Sequence, residues 1–308
     1  MTYLDQAGFE RALGRALIGR REFVAALGAA LGEGRGFAVG KLGGSEQAWL
    51  TYPALLERER EPLKLRAFEA ALAFRSLRHA GIWPADPRFL QRFAGQFATA
   101  VGDLDAIGLF SDAFATELEI LRYHRPVGDL MRFEDQEPDR SQGSPVEDCW
   151  LEHLRGRRVL LVCPFADLLR ERANRETYEA VWGRVGKRWF DPVGIESIEV
   201  PYGFDPAVQA EFGTALGLLD VLGARLEQAD FDCALIAAGG LGIPLAAAVK
   251  RTDRVAVSLG GHLQVMFGVH GERWRQRPEW RDGIFTDAWI SLPERYRPDP
   301  ALTGENYW

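Results

Sequence analysis

Between residues 6 and 31 apolar side chains return at spacings of three, four and seven, at Phe9, Leu13, Leu17, Val24, Leu27 and Leu31. That rhythm predicts an amphipathic helix, which Gly32, Gly34 and Gly36 end. Phe37-Ala38-Val39 reads as a short strand. The stretches 62–82 and 86–101 read as helices parted by Trp83-Pro84, Ala106–Phe110 as a short apolar strand, and Ala113–Tyr123 as a helix. Residues 134–147 are polar with two prolines and read as a surface loop or the junction between halves. Beyond them strand and helix patterns alternate. Arg157–Cys163, Ile195–Val200, Asp232–Ala237 and Arg254–Leu259 read as strands, and Tyr178–Arg188, Pro206–Gln228 and Pro244–Lys250 as helices. Continuous apolar strands alternating with helices predict an α/β fold, a Rossmann-like and mostly parallel sheet with helices on both faces. The whole chain, 1–308, is expected as one compact unit with a helical N-terminal region and a helical insertion at 54–145.

Composition adds exclusions. The 308 residues are 47% hydrophobic and 26% charged, which supports a large core and excludes global disorder. The formal net charge is −7 and Lys and Arg form no basic arm, so a nucleic-acid partner is not expected. No apolar run approaches the ~18 residues of a spanning helix, and the N-terminus lacks a secretory pattern. At most a peripheral membrane contact is expected. The three cysteines, Cys149, Cys163 and Cys233, show no CxxC spacing, which argues against a disulfide framework and a zinc site and fits a reducing cytoplasm.

Candidate chemistry gathers in two segments. In the first, the Phe37 strand runs into Gly40-Lys41-Leu42-Gly43-Gly44-Ser45-Glu46, a tight turn followed by a helix that Ser45 can cap. Glu46 in that first turn can serve as base, ribose acceptor or metal ligand, or simply complement the helix dipole. Lys41 can meet a phosphate or be a solvated strand end. The second segment, Asp232–Gln264, is a βαβ unit whose first strand leads to Gly239-Gly240-Leu241-Gly242 and whose second leads to Gly260-Gly261-His262. Glycines at such turns let backbone approach a ligand, and free amides at a helix start favour phosphate or carboxylate. In an open α/β sheet ligands bind beyond the carboxyl ends of the strands, so His262 is a candidate functional histidine. His79, His124 and His153 read as helix-surface residues and His270 as a loop residue. No GxGxxG, P-loop, GxSxG or HExxH pattern occurs, which argues against a nicotinamide dehydrogenase, a P-loop NTPase, a serine hydrolase and a zinc protease. The aromatic end, with Trp274, Trp280, Trp289 and Trp308, reads first as a packed arm and second as a platform for a sugar.

Three stretches resemble the bacterial glycosyltransferases of the GT-D fold, in the branch that accompanies surface-polysaccharide genes. Phe37–Pro53 is similar to that family's strand and R-x-G-x-x-E segment, with Gly43, Glu46, Tyr52 and Pro53 matching. Val159–Leu168 resembles its apolar strand ending in Pro-Phe. Asp230–Trp274, with the tail Glu305–Trp308, resembles its βαβ unit and terminal Tyr-Trp. The resemblance implies a nucleotide-sugar donor and a glycan or lipid-linked acceptor. It places the Glu46 segment in the donor site, and the mechanism expected on that basis has Glu46 orient the donor or act as base and His262 or Lys41 stabilise the leaving diphosphate, with Glu46 and His262 as the catalytic residues. It implies donor contacts from Lys41, Gly43, Gly44, Ser45, Gly239, Gly240, Gly242, Gly260, Gly261 and Gln264. Family members with Asp-Gly-Glu hold a divalent metal on the diphosphate. Here the Asp position is Gly44 and the Arg position Lys41, so Mn²⁺ or Mg²⁺ has one carboxylate, Glu46, to bind. Two other classes stay open: a non-catalytic nucleotide- or sugar-binding relative, and another α/β enzyme acting on nucleotides or phosphosugars.

Overall fold

The computed structural model describes residues 4–59, 61–110, 113–137, 149–299 and 302. Seven strands form one sheet: β1 (Phe37–Lys41), β2 (Ala106–Leu109), β3 (Asp129–Arg132), β4 (Arg158–Cys163), β5 (Gly194–Glu199), β6 (Cys233–Ile236) and β7 (Val255–Ser258). Their order is β3-β2-β1-β7-β6-β4-β5 and every pairing is parallel. Phe37 aligns with Val255, Val255 with Cys233, and Cys233 with Val159. Because side chains alternate faces, this register sorts the strands into two apolar layers. Ala38, Leu160, Val162, Ala234, Ile236 and Ala256 belong to one core, and Phe37, Val39, Val159, Leu161, Cys233, Leu235, Val255 and Val257 to the other. Burial on both faces is why these strands read as continuous apolar runs.

The first layer is covered by α1 (Gln6–Leu13), α3 (Gly44–Arg58), α4 (Pro62–Ala80), α5 (Pro87–Gly102), α6 (Phe114–His124), α11 (Ala215–Gln228) and α12 (Gly242–Lys250). The second is covered by α2 (Arg20–Glu33), α8 (Ala166–Arg172), α9 (Arg175–Trp182) and α13 (His262–Met266). It is also covered by an aromatic arm. There Trp182 meets Trp289 edge-on at 5.2 Å and Trp280 at 6.3 Å. The indole N–H groups of Trp182 and Trp289 donate to the carbonyls of Met266 and Val181. Trp274, Trp280 and Trp289 are therefore packing residues first; Trp308 lies outside the described residues.

Several expectations need correction. The helix expected over 6–31 is two, because Gly14 caps α1 in the left-handed region at φ 72° and Ile18 bridges to Met131. The helix expected over 206–228 is also two. Gly213, at φ 68°, ends α10 (Pro206–Phe212), and the Thr214 hydroxyl accepts from the Gly217 amide to start α11. The stretch 54–145 is not a purely helical insertion: it supplies β2 and β3 to the main sheet. Strand β3 carries only Leu130 and Met131 as buried residues, too short a pattern to predict. The short helix α7 (Phe133–Gln136) and Glu137, expected in a surface loop, are largely buried.

Connections from β4 and β6 run in opposite directions, outward to β5 and inward to β7, across opposite faces. A crevice beyond the carboxyl ends of that neighbouring pair is what this topology provides.

Candidate functional site

The carboxyl ends of all seven strands open onto one cleft of about 710 Å³, within the roughly 300–1,000 Å³ of small-ligand sites. Strand β1 brings Lys41 and the Gly43–Glu46 turn, and β4 brings Pro164 and Phe165. Strand β6 brings Ala238 and Gly239, and β7 brings Ser258 and the Gly260–His262 turn. The structure thus gathers Lys41, Gly43, Gly44, Ser45, Glu46, Gly239, Gly260, Gly261, His262 and Gln264 on one surface.

Gly240 and Gly242 are not part of that lining. A Cβ on Gly240 would sit 2.5 Å from the Trp49 ring and 2.7 Å from Ile82, so this glycine lets α3 approach the sheet. A Cβ on Gly242 would meet the Ser258 hydroxyl at 2.7 Å. Both glycines serve close packing, which a Gly-rich motif signals as readily as ligand approach. Gly260 is different: it turns the chain at φ 56° beside the Lys41 side chain, where left-handed backbone is needed. Gln264 is buried and donates to the Val269 carbonyl at 3.3 Å. Tyr52 and Pro53 lie within α3 away from the cleft; the Tyr52 hydroxyl donates to Glu69 at 2.6 Å and ties α3 to α4.

Glu46 is the third residue of α3, whose cap is Gly43. Its carboxylate folds back so that a Cβ on Gly43 would lie 2.7 Å from it, the layout of a capping box. The side chain is half-buried. Burial pushes its carboxyl above the usual range, and the Glu46 amide, Lys41's charge and the Gly43 amide pull back less strongly. A carboxyl raised in this way, in a cleft, is a candidate for proton transfer. The floor beneath is fixed by buried Glu117 on α6, which accepts from Gln47 Nε2 at 3.0 Å and the Phe110 amide at 2.9 Å.

Lys41 and His262 are joined by a residue that the sequence pattern assigned to a surface loop. Glu137 is fully buried, and its Oε1 accepts from Lys41 Nζ at 2.9 Å and from His262 Nε2 at 2.9 Å. Burial alone would raise this carboxyl, but the charges of His262 and Lys41 and their hydrogen bonds outweigh it and hold it at about 2. Glu137 is delivered by α7, which is itself anchored. Gln136 donates to the Ser258 carbonyl at 2.8 Å, Trp150 donates to the Gln136 carbonyl, and Arg132 pairs with Asp135 through two N–H bonds. His262 or Lys41 was expected to face a leaving diphosphate. His262 Nε2 is committed to Glu137, whereas Lys41, with three ammonium protons, keeps others to offer.

The remaining cations are ones sequence reading left aside. Arg75, Arg78 and His79, at i, i+3 and i+4 on α4, line the cleft, and so do Arg273 and Arg277. The spacing was visible, but which helix face met the sheet edge was not. His79, expected as a plain surface residue, belongs to this wall. His124 instead bonds the Leu50 carbonyl at 2.6 Å, and His153 packs against Gly28. Arg273 stacks on Trp274, 4.5 Å from the ring, above Gly261. Cys163 reaches the wall, but burial pushes its thiol far up, so no thiolate nucleophile is offered.

The donor set does not suit a resident Mn²⁺ or Mg²⁺. Glu137 is engaged by two cations, which leaves Glu46 as the carboxylate open to the cleft. Among the described residues no three His, Cys, Asp or Glu side chains gather where they could hold an ion. Among the same residues no helix is long and apolar enough to cross a membrane.

No protein-family model matches the chain, and no curated protein does. Among solved structures it is similar to a selenomethionine-substituted domain of unknown function, DUF1792, at 11% identity and TM-score 0.44, covering 94% of this chain and 95% of that one. It is also similar to a structure of the same domain described as having a distinct glycosyltransferase fold, at 13% identity and TM-score 0.38, covering 87% and 95%. At these scores nothing about the chemistry of this chain follows from the likeness.

Two outcomes follow from the site's packing. Gly240→Ala destabilises the protein by about 1–3 kcal/mol through overpacking against Trp49 and Ile82, read as a lower denaturation midpoint, with ligand affinity of the folded fraction unchanged. Glu137→Gln leaves Lys41 without its counter-charge and costs on the order of 3 kcal/mol at pH 7. Because the folded carboxyl is depressed, that contribution is whole above its ordinary value and disappears as pH falls toward about 2. Urea unfolding of the two proteins from pH 7 to pH 2.5 should therefore show the gap closing on the acid side.

Proposed function

We propose that the chain is a glycosyltransferase that takes a sugar from a nucleotide-sugar donor bound in the cleft and passes it to an acceptor hydroxyl. The observation that carries this reading is Glu46: a half-buried carboxyl with its pKa raised, on a helix N-terminus in a cleft whose lining also holds Lys41, Arg75, Arg78, Arg273 and Arg277. A diphosphate needs neighbouring positive charge and free amides, and a hydroxyl nucleophile needs a base. The cleft offers both within one wall.

The donor diphosphate lies against the amides that open α3 at Gly44 and Ser45 and the turn at Gly260-Gly261, with Arg273 above that turn. Gly44 suits close approach, since a Cβ there would meet nothing within 4 Å. The acceptor oxygen forms its bond to the anomeric carbon as the bond from that carbon to the diphosphate oxygen breaks. Glu46 takes the acceptor proton. Arg273 and Lys41 stabilise the charge that accumulates on the departing nucleoside diphosphate. Glu137 holds Lys41 and His262 in place and stands one step behind the chemistry. With one carboxylate open to the cleft, this reading draws its counter-charge from side chains and routes no step through a metal.

A thermal-shift panel of nucleotide sugars and nucleoside diphosphates, with and without Mn²⁺ and Mg²⁺, tests donor binding. A ligand at ~100 times its Kd stabilises by about 2.7 kcal/mol, a visible shift. No shift from any of them on folded protein removes the reading and favours another α/β function.

Glu46→Gln keeps the cap, because Gln also closes a capping box. As the base, its loss lowers kcat by about 100-fold or more with donor affinity unchanged; a matching loss of donor binding would instead assign Glu46 to donor orientation. A base with a raised pKa also puts the acid limb of the kcat/KM profile above the ordinary carboxylate range. The same shift has a cost for folding. A raised carboxyl favours the folded state below its ordinary value and works against it as pH rises through the raised one. Glu46→Gln therefore raises Tm more at pH 8 than at pH 4.

A further inference from the structure

The positive charge of the cleft exceeds what a donor diphosphate can use. Arg75, Arg78, Arg273 and Arg277 all line it. Lys41 is already matched by Glu137, and a nucleoside diphosphate sugar brings two negative charges. Four guanidiniums against two charges leave two over, and Arg273 is one that the donor reading uses. Arg273 stands over Gly261 at the β7 end. Arg75 lies on the outer part of α4, one turn before its last. Helix α4 is locked to the sheet edge: a Cβ on Gly239 would lie 2.7 Å from the Ala80 carbonyl, and one on Gly203 would meet the Gly81 carbonyl. The rim is therefore a fixed wall. Arg78 spends an N–H on the Leu302 carbonyl. Arg75 and Arg277 make no salt bridge among the described residues, and both line the cleft. Leaving guanidiniums open inside a cleft, in a protein of net charge −7, fits a site kept for an anion.

We propose that the acceptor carries a phosphate or diphosphate, and that Arg75 and Arg277 at the cleft rim hold it. The proposal rests on the glycosyl-transfer reading and names its second substrate. The acceptor phosphate takes no part in the bond changes; it anchors the molecule so that its hydroxyl reaches Glu46. Guanidinium forks suit this because they meet phosphate oxygens through two N–H bonds at once. The phosphate can be borne by a soluble phosphosugar or by a lipid. The second source is compatible with Phe74 and Leu63, which stand 59% and 80% exposed on the same helix.

The test is calorimetric titration of the full chain with inorganic pyrophosphate, alone and with excess nucleoside diphosphate. Two equivalents are expected, one displaced by the nucleoside diphosphate and one not. In the R75Q/R277Q double variant the undisplaced equivalent weakens about tenfold or more, while the displaced one stays within about twofold. Both residues are on the rim with no salt bridge to lose, and the unchanged first equivalent certifies that the variant folds. A single equivalent, or a second one indifferent to R75Q/R277Q, overturns the proposal and leaves the donor reading intact. Displacement of neither equivalent overturns the donor reading and the acceptor role with it. Two further arms name the source. Glucose 1-phosphate competing for the undisplaced equivalent, without vesicle binding, indicates a soluble acceptor. Co-sedimentation with phosphatidylcholine vesicles only when they contain phosphatidic acid, lost in R75Q/R277Q, indicates a lipid-borne one. Failure of both arms overturns the proposal.

Discussion

Glu137 is where the two halves of the sheet edge are tied together. Its carboxylate takes one hydrogen bond from Lys41 at the end of β1 and one from His262 after β7, both at 2.9 Å. It arrives on a short buried helix that follows β3 at the far edge of the sheet. A carboxylate in that position carries a desolvation penalty that only well-placed cations repay. The buried charge therefore demands that β1, α7 and the Gly260-Gly261 turn stay in register. Removing any of the three partners exposes the cost of the others. The shape of the cleft floor follows from this demand as well as from hydrophobic packing.

The parallel sheet explains why one cleft collects so much. All seven strands point the same way, so every carboxyl end lies on one edge, and the opposed connections from β4 and β6 leave a crevice there. Residues far apart in sequence, such as Glu46, Arg78, Glu137 and Arg273, become neighbours of one surface without any local sequence relation.

This divides what the sequence makes legible from what it hides. The central strands and the helices after them were readable, because burial on both faces produces unbroken apolar runs. The Gly43–Glu46 and Gly260–His262 turns were readable as well, since glycine clusters mark strand ends. Two failures have definite causes. Gly240 and Gly242 obey the same glycine rule but answer to Trp49, Ile82 and Ser258, side chains contributed from elsewhere in the fold. Glu137 sits among acids, prolines and serines whose composition is that of a solvated loop, and its burial depends on cations supplied from more than ninety residues away in both directions. Periodicity reports a residue's immediate neighbours along the chain. Long-range charge pairing leaves no periodic trace, so the same property that makes Glu137 central made it invisible.

The charges of the cleft fall into two groups with different physics. The inner group is Lys41, Glu137 and His262. It is buried, self-compensating and short-ranged, and it sets geometry. The outer group is Arg75, Arg78, His79, Arg273 and Arg277. It is more exposed, and it projects its field outward from a molecule that is acidic overall. A low-dielectric cleft focuses such a field toward its own floor. Under the proposed reading, an entering anion is drawn past the arginines toward the α3 N-terminus and Glu46. Glu46 is a carboxyl of the cleft whose burial disfavours its charge and is not outweighed by its neighbours. The anion and the raised carboxyl reinforce each other: negative charge nearby pushes Glu46 further toward its protonated form. In the proposed reaction, a base that must hold a proton after the acceptor gives one up would gain affinity for it from the diphosphate beside it. The same order of charges that steers the ligand in therefore tunes the group that would act on it.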